Sequence, residues 1–512
     1  MFKLKHRGIL VLPAYKAKGY TIFYGSQAHI LKDKEEEMLV HWVKKLGTPY
    51  AEDPVFKKNF FMDFCKELGI GFTEEINIDQ VKKAVEAEKL RINDLSKEEK
   101  KALAEGRKAL RDNRKNLYGY AEVDKNRIEI ANYLAEPSCI FMGRGQHPLR
   151  GKWKEGPREE SITLNLSPDA PRPQGKWMKI VWEPKKMYVA KWVDKLSGKV
   201  KYVWLSDSWG KKQQKEKAKF DKAILLEKNM ETVQKLILDG MKETNDSKTQ
   251  KIAAVCYLIW KTNMRVGDEK DPDEADTVGA ITLRPEHIKI GQGVVNLDFL
   301  GKDSVHWTTS LSSPEDNFIR ILKENETKDT AYFDGLVSKD IANFLGTVQK
   351  GLTAKVFRTY TATKTMKRAM ASSKNSAFEN EDLQTEKWKK MRIKMNILEA
   401  SWVCFHKRAR PKNFDEMLKK RDEKIARCQE RVEEAIIEKA DPKRMRKLDL
   451  EVLEAKLERM FYYETSEWNL NTTLKSYIDP RVVKEACDKI DLPYEKIYSQ
   501  VLLKKFSWAL TS

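Results

Sequence analysis

The chain has 512 residues and a mass of 59.6 kDa, and its 97 Lys and Arg against 77 Asp and Glu give a formal net charge of +20 with an isoelectric point near 9.3. That length holds roughly three or four domains with proper cores, the basic excess suits a polyanionic partner because each neutralised phosphate releases condensed counterions, and 13 Trp with 17 Tyr argue for folded cores rather than a basic tail. The longest apolar stretch, Ala253 to Trp260, falls far short of the roughly 20 residues of a membrane span, and six scattered cysteines without a Cys-x-x-Cys pair read as reduced thiols of an intracellular chain with no metal framework.

The basic start from Met1 to Arg7 runs into Gly8-Ile-Leu-Val-Leu-Pro13, a short apolar run that reads as a strand and not a signal peptide. Residues 8–32 read as strands, with alternation in Tyr20-Thr-Ile-Phe-Tyr24. Residues 35–115 are mainly helical, and the charged segment from Lys97 to Lys115 reads as a solvated helix. Residues 137–205 turn strand-rich and proline-punctuated, with Gly143-Arg-Gly-Gln-His-Pro148 marking a loop. From Lys211 to Met264 the pattern is helical, with residues 252, 256, 259, 260 and 264 on one apolar face. A hairpin follows, in which Val294, Leu297, Phe299 and Val305 flank the turn that puts Lys302 at or near its tip.

More helices lead to His406. Asn413 with Glu416 then makes a capping box, and residues 414, 418, 425, 428, 432 and 436 hold the apolar face of a long charged helix. The run from Ala440 to Arg444 breaks it, and Leu450, Leu453, Leu457 and Met460 line a second helix. Two helices with narrow apolar seams and a short turn predict an antiparallel coiled-coil arm.

The chemistry-bearing residues follow in the order Arg265, Lys302, Arg358, His406 and, 35 residues from the end, Tyr477. Exchange at a phosphodiester passes through five-coordinate phosphorus with charge on its non-bridging oxygens, so metal-free catalysis needs fixed cations. Arginine forks two donors onto two phosphate oxygens, which suits Arg265 and Arg358, and His406 adds a donor. Tyrosine, with an ordinary pKa near ~10, becomes a competent nucleophile beside cations. The departing 5′-oxygen leaves poorly unless protonated, and Lys302 is the natural acid. Each residue alone has a plainer reading: a helix-closing arginine, a turn lysine, a core histidine, a packed tyrosine.

The local sequences decide between the readings. Phe56-Lys-Lys-Asn-Phe-Phe61, Gly143–Pro148, Ala275-Asp-Thr-Val-Gly279, Leu283-Arg-Pro-Glu-His-Ile288, Asp298-Phe-Leu-Gly-Lys-Asp-Ser304, Gly351-Leu-Thr-Ala-Lys-Val-Phe-Arg-Thr-Tyr360, Tyr477-Ile-Asp-Pro-Arg481 and Lys505-Phe-Ser-Trp-Ala509 occur in this order. Together they resemble the nuclear-type DNA topoisomerases I, the eukaryotic branch of the type IB enzymes, over nearly the whole chain. The resemblance implies that Tyr477 forms a 3′-phosphotyrosine, that Arg265, Arg358 and His406 stabilise the transition state, and that Lys302 is the acid. It implies DNA contacts from Arg144, Thr277 and Asp303, no ATP, no required divalent metal, duplex DNA as partner, and a monomer with no membrane association.

Departures stand beside the matches. Ser476 replaces the family's usual Asn before the nucleophile, where camptothecin-type inhibitors bind, so the resemblance implies nothing about drug sensitivity, although the chemistry need not change. Val266 and Asp268 alter the Arg265 motif, and Phe405 replaces a polar residue before the histidine. The long charged N-terminal extension of nuclear enzymes is missing, which implies an archaeal or viral relative or a shortened chain. Localisation then follows the host: cytoplasm or nucleoid if archaeal or viral, nucleus if eukaryotic.

The expected fold class is multidomain α+β: a mixed α/β N-terminal cap over 1–205, a mostly helical catalytic core with a small β-hairpin over 206–410, a coiled-coil linker over 411–465 and a small helical C-terminal domain over 466–512, closing as a clamp around DNA. The rivals are a tyrosine recombinase or integrase, which carries His-x-x-Arg where this chain has Lys355-Val-Phe-Arg358 and lacks the arm, and a DNA-binding protein without catalysis.

Overall fold

The computed structural model describes residues 3–243, 245–268, 277–326, 330–372 and 383–510. Residues 275 and 276 of the Ala275–Gly279 motif and the side chain of Asp303 lie outside the described residues. The architecture is mixed α/β, in two compact units, one within residues 1–210 and one from 211 to 510.

In the first unit the strands are short. Leu4–His6, Tyr120–Val123 and Asn126–Glu129 form one antiparallel sheet, and Thr163–Asn165, Lys179–Val181, Tyr188–Val193 and Val200–Trp204 form a mixed one, in which Thr163–Asn165 and Lys179–Val181 run parallel. Leu4, Ala121, Val123, Leu164, Val189, Ala190 and Val203 share one core. A second core gathers Trp42, Phe56, Phe60, Phe61 and Phe64, with Trp42 stacked on Phe60 at 4.7 Å. The helix Lys97–Tyr118 buries no residue and starts on a Ser96–Glu99 capping box, so it is the solvated helix its charge foretold. The strand expected from Gly8 to Leu12 lies instead at Leu4–His6. Between His6 and Pro13 the chain makes a single bridge, Leu10 to Leu134, and Pro13 supplies no N–H for a ladder; the strands expected further on are there, as the antiparallel pair Thr21–Tyr24 and Gln27–Ile30.

The Arg144 loop is braced by the Phe56–Phe61 motif. Asn59 Nδ2 donates to the carbonyls of Pro148 and Arg150, each at 2.8 Å. Gly151 has φ 91°, and a Cβ there would sit 2.0 Å from the Phe56 carbonyl oxygen, so only glycine fits.

In the second unit the helix Gly210–Lys242 precedes the helix Ser247–Thr262. The latter is buried continuously from Ile252 to Ile259, on all sides rather than on the single face expected. A helix apolar all round belongs inside a core, and this one is the centre of the unit's largest. The strands Ile288–Gly291, Val294–Gly301 and Val305–Ser312 form an antiparallel sheet. Gly301 pairs with Val305, so Lys302–Ser304 is the hairpin tip, as the sequence predicted.

Helices Phe414–Ile437 and Pro442–Thr465 lie antiparallel, with Phe414 stacked on Tyr462 at 5.5 Å and Lys424 paired to Glu458 at 2.7 Å. Two expectations fail here. Asn413 has ψ 24° and makes no side-chain cap, because a capping side chain needs extended backbone, and Glu416 pairs with Lys420 at 2.6 Å instead. Ile436 is exposed; Ala435, seven residues after Cys428, takes the buried place, as a heptad seam requires.

Candidate active site

Three elements of the second unit bring Arg358, His406 and Tyr477 together. The helix Ala354–Ala371 buries Arg358, Thr359, Ala362, Thr363 and Met366 along one side. Its Arg358 is only 3 % exposed; Nη1 lies 3.5 Å from the Tyr477 hydroxyl, Nη2 donates to the Cys404 carbonyl, and the guanidinium carbon stands 5.0 Å from the Tyr477 ring centre.

His406 is delivered by the end of the helix Glu386–Val403. Phe405 has a left-handed φ of 52°, its N–H donates to Trp402 O at 2.9 Å, and the His406 N–H donates to Ser401 O at 3.1 Å. This is a Schellman turn with phenylalanine where glycine is usual. It swings the imidazole to 4.9 Å, centre to centre, from the Tyr477 ring. Nδ1 is 2.7 Å from the Thr473 hydroxyl, which is 2.8 Å from that of Ser401. Burial first, then the nearby charges of Arg358 and Arg265, push the His406 pKa down to about 3, so the ring is neutral at pH 7.

Tyr477 closes the helix Leu470–Ser476, which Asn469 starts by accepting the Thr472 N–H at 3.0 Å. Asn469 N–H in turn donates to the His406 carbonyl at 2.7 Å. Past Tyr477, Asp479 caps the helix Pro480–Asp488, with Pro480 at its first position and Arg481 forked onto the Asp479 carboxylate. On the other side Lys219 Nζ donates to Ser476 O at 3.1 Å, and Lys505 to Lys475 O at 3.4 Å, with Glu216 between the two ammonium groups. Burial pulls the Lys219 pKa down to about 8.

Within this pocket the buried Arg358 Nε and His406 Nε2 have no hydrogen-bond partner among the described residues. Two unmatched donors or lone pairs beside a tyrosine hydroxyl are costly unless a polar ligand meets them. A phosphate oxygen is such a ligand, and the surrounding charge is positive.

The other predicted residues are placed less tightly. Arg265 is exposed, two residues beyond the left-handed Asn263, yet close enough to act on the His406 charge state. Its turn is held by Ala280 N–H to Arg265 O and Ile281 N–H to Val266 O, each 2.8 Å, with Gly267 and Gly279 in backbone contact. Val278 N–H donates to Leu300 O at 2.7 Å, so the half-buried Thr277 sits between the Arg265 turn and the Lys302 hairpin. Lys302 is exposed at the tip, and the Trp307 ring of the same hairpin packs on Phe405 at 4.9 Å. Arg144 is an exposed loop residue of the first unit. Sequence reasoning missed Thr363, Ser401, Thr473 and Lys219. For Thr473 a signal existed: it lies four residues before Tyr477, one helical turn away.

Comparison with known proteins follows the same lines. The family model for the DNA binding fragment of eukaryotic DNA topoisomerase I matches residues 2–205, that for its catalytic core residues 208–439, and that for the C-terminal topoisomerase domain residues 450–512. DNA topoisomerase 1 of Rattus norvegicus is 30 % identical over 549 residues, covering 99 % of this chain and 70 % of that protein. The Homo sapiens protein is 30 % identical over 552 residues with the same coverage, and DNA topoisomerase 1 beta of Arabidopsis thaliana is 30 % identical across 99 % of this chain and 58 % of its own length. These relatives are eukaryotic and lend no support to an archaeal or viral source. With near-complete coverage by three consecutive family models and by these relatives, the chain belongs to the eukaryotic DNA topoisomerase I family.

Proposed function

We propose that the chain relaxes positive and negative DNA supercoils by cutting one strand, letting the free 5′ end rotate about the intact strand, and resealing it. The observation that carries the reading is the 3.5 Å approach of Arg358 Nη1 to the Tyr477 hydroxyl beside two unmatched buried nitrogens. Tyr477 gives up its hydroxyl proton to solvent, the neighbouring cations favouring the phenolate, and attacks phosphorus to hold the 3′ end as a phosphotyrosine, while the 5′-oxygen departs with a proton from Lys302. Arg265, Arg358 and neutral His406 hold the non-bridging oxygens as charge builds on them. The phosphotyrosine conserves the bond's free energy, so the reaction consumes no ATP, and fixed cations stand where a divalent metal would otherwise act.

The assignment of regions follows. Residues 1–205 form a DNA-binding cap, 206–410 the catalytic core, 411–465 a coiled-coil linker that tunes rotation, and 466–512 the segment presenting the nucleophile. A monomer closes around duplex DNA, a partner that the net charge of +20 supports, with Arg144, Thr277 and Asp303 as DNA contacts. Chromosomal DNA in the nucleus is the setting that eukaryotic relatives favour. The recombinase alternative is disfavoured by Lys355 at the position of the expected histidine.

The test is relaxation of a supercoiled plasmid with neither ATP nor free divalent metal. Ladders of topoisomers relaxing from both signs of supercoiling support the reading. Binding without relaxation would leave only a DNA-binding protein.

A further inference from the structure

His406 has a second face that the reaction described above does not use. Its Nδ1 meets a buried pair of hydroxyls. Thr473 and Ser401 are fully buried, His406 is 5 % exposed, and the contacts are 2.7 Å from Nδ1 to Thr473 Oγ1 and 2.8 Å from there to Ser401 Oγ. Resting on the reading of His406 as a transition-state donor, we propose that Thr473 and Ser401 form a two-hydroxyl relay that fixes the imidazole as its Nε2–H tautomer and aims that proton at the scissile phosphate.

The number of protons available fixes the tautomer. A neutral imidazole carries one N–H, and each hydroxyl has one proton to give. If Ser401 donates to Thr473 and Thr473 donates to Nδ1, the ring proton must sit on Nε2, the atom left without a partner in the pocket. The reverse order is also geometrically open. Ser401 then donates to Ile397 O at 2.9 Å, Thr473 donates to Ser401, and Nδ1–H donates to Thr473. That order presents a bare Nε2 lone pair to an anionic phosphate, which repels it.

Nor does the bare nitrogen serve as a base for Tyr477. The Tyr477 ring lies 4.9 Å from the imidazole, centre to centre, and the Arg358 and Arg265 cations act on it, so two fixed cations oppose a proton arriving on Nε2. The incoming phosphate therefore selects the donor tautomer, and Thr473, on the same helix as Tyr477, couples the histidine to the nucleophile's own element. Thr473 and Ser401 are positioning residues, acting through His406.

The tautomer is read directly by nitrogen NMR of histidine-labelled Tyr477→Phe protein bound to a duplex oligonucleotide, with His406→Gln in the same background assigning the resonance among seven histidines. An Nε2–H pattern is expected; an Nδ1–H pattern overturns the proposal. In single-turnover cleavage, Thr473→Val should be slower by roughly 10- to 100-fold, as when a partner orienting an imidazole is removed, with duplex affinity unchanged. Thr473→Ser, which keeps the hydroxyl, should restore the rate, and Ser401→Ala should fall between. Wild-type cleavage by Thr473→Val while His406→Ala is slow overturns the relay alone. Wild-type cleavage by His406→Ala overturns the donor reading and the relay with it. Should Thr473→Val not fold, the tautomer measurement and Thr473→Ser still decide.

Discussion

The Thr363 hydroxyl grips the main chain of Tyr477: it donates to the Tyr477 carbonyl at 3.2 Å and accepts the Asp479 N–H at 3.1 Å. Thr363 shares a helix with Arg358, so one helix ties the proposed phosphate clamp to the backbone of the proposed nucleophile. Removing the hydroxyl strands a buried carbonyl and a buried N–H. Thr363→Val should cost about 1–3 kcal/mol of stability and slow cleavage, whereas Thr363→Ser should do neither. Denaturant melts with single-turnover rates check this, and a Thr363→Val protein of unchanged stability and rate would show that the staple is idle.

Lys302 makes the sharpest chemical prediction. If it protonates the departing 5′-oxygen, its importance depends on how badly that atom needs a proton. Lys302→Ala should be slower by roughly 10²–10⁴-fold on ordinary DNA and should recover most of the wild-type rate when sulfur replaces the 5′-bridging oxygen, since a thiolate leaves unprotonated. Arg265→Ala and Arg358→Ala, acting on unchanged non-bridging oxygens, should gain far less. Equal slowness of Lys302→Ala on both substrates would move the acid role elsewhere, with His406 next in line.

His406 couples the site to pH. Its folded pKa, about 3, lies below the ordinary 6.5 because of burial and then Arg358 and Arg265. Between those values the unfolded chain binds a proton that the folded protein refuses, so stability falls as pH drops, by up to about 1.4 kcal/mol per pH unit. Relative to wild type, His406→Gln should gain about 2 kcal/mol on going from pH 7 to pH 5, measured by urea unfolding at both. The wild-type cleavage profile should show no limb near pH 6.5 that His406→Gln abolishes. A constant stability gap, or such a limb, would mean that the imidazole titrates normally.

Phe405 sets two effects against each other. Its φ of 52° costs a non-glycine residue about 1–2 kcal/mol, but its ring packs on Trp307 at 4.9 Å and Trp468 at 6.1 Å. Losing a packed phenylalanine costs about 3–5 kcal/mol when fully buried, and somewhat less at this half-buried position. Phe405→Asn, suited to the left-handed turn, should therefore remain net destabilising by about 1 kcal/mol or more. A higher melting temperature would mean that backbone strain outweighs the aromatic contacts.

How much of this was legible in the sequence depends on what each feature rests on. The Lys302 hairpin tip, the solvated helix from Lys97 and the pair of antiparallel helices rest on local periodicity and turn chemistry, which one sequence carries. The Ser247–Thr262 helix was misread as one-faced because an all-round apolar pattern and a stripe differ only by what surrounds them. Asn413 has a capping residue's identity but not its backbone angle, which tertiary packing sets. The order of Arg265, Lys302, Arg358, His406 and Tyr477 pointed to a constellation only through resemblance. Their support is a different matter: Thr363 and Ser401 meet their partners across 114 and 72 residues of chain, to Tyr477 and Thr473, and no spacing rule reaches that far.

The central step of the proposed reaction is attack of the Tyr477 hydroxyl oxygen on phosphorus. The direct measurement is a cleavage reaction on a duplex oligonucleotide labelled in turn at each end of the cut strand, stopped with denaturant and resolved on a gel. The wild-type protein should carry the 5′-labelled fragment, the one joined through its 3′-phosphate, as a denaturant-resistant adduct. Tyr477→Phe should form none while binding the same duplex nearly as tightly, because only the attacking oxygen is lost. An adduct that persists in Tyr477→Phe, or that holds the 3′-labelled fragment instead, would contradict the account and turn attention to Tyr462 and Tyr463.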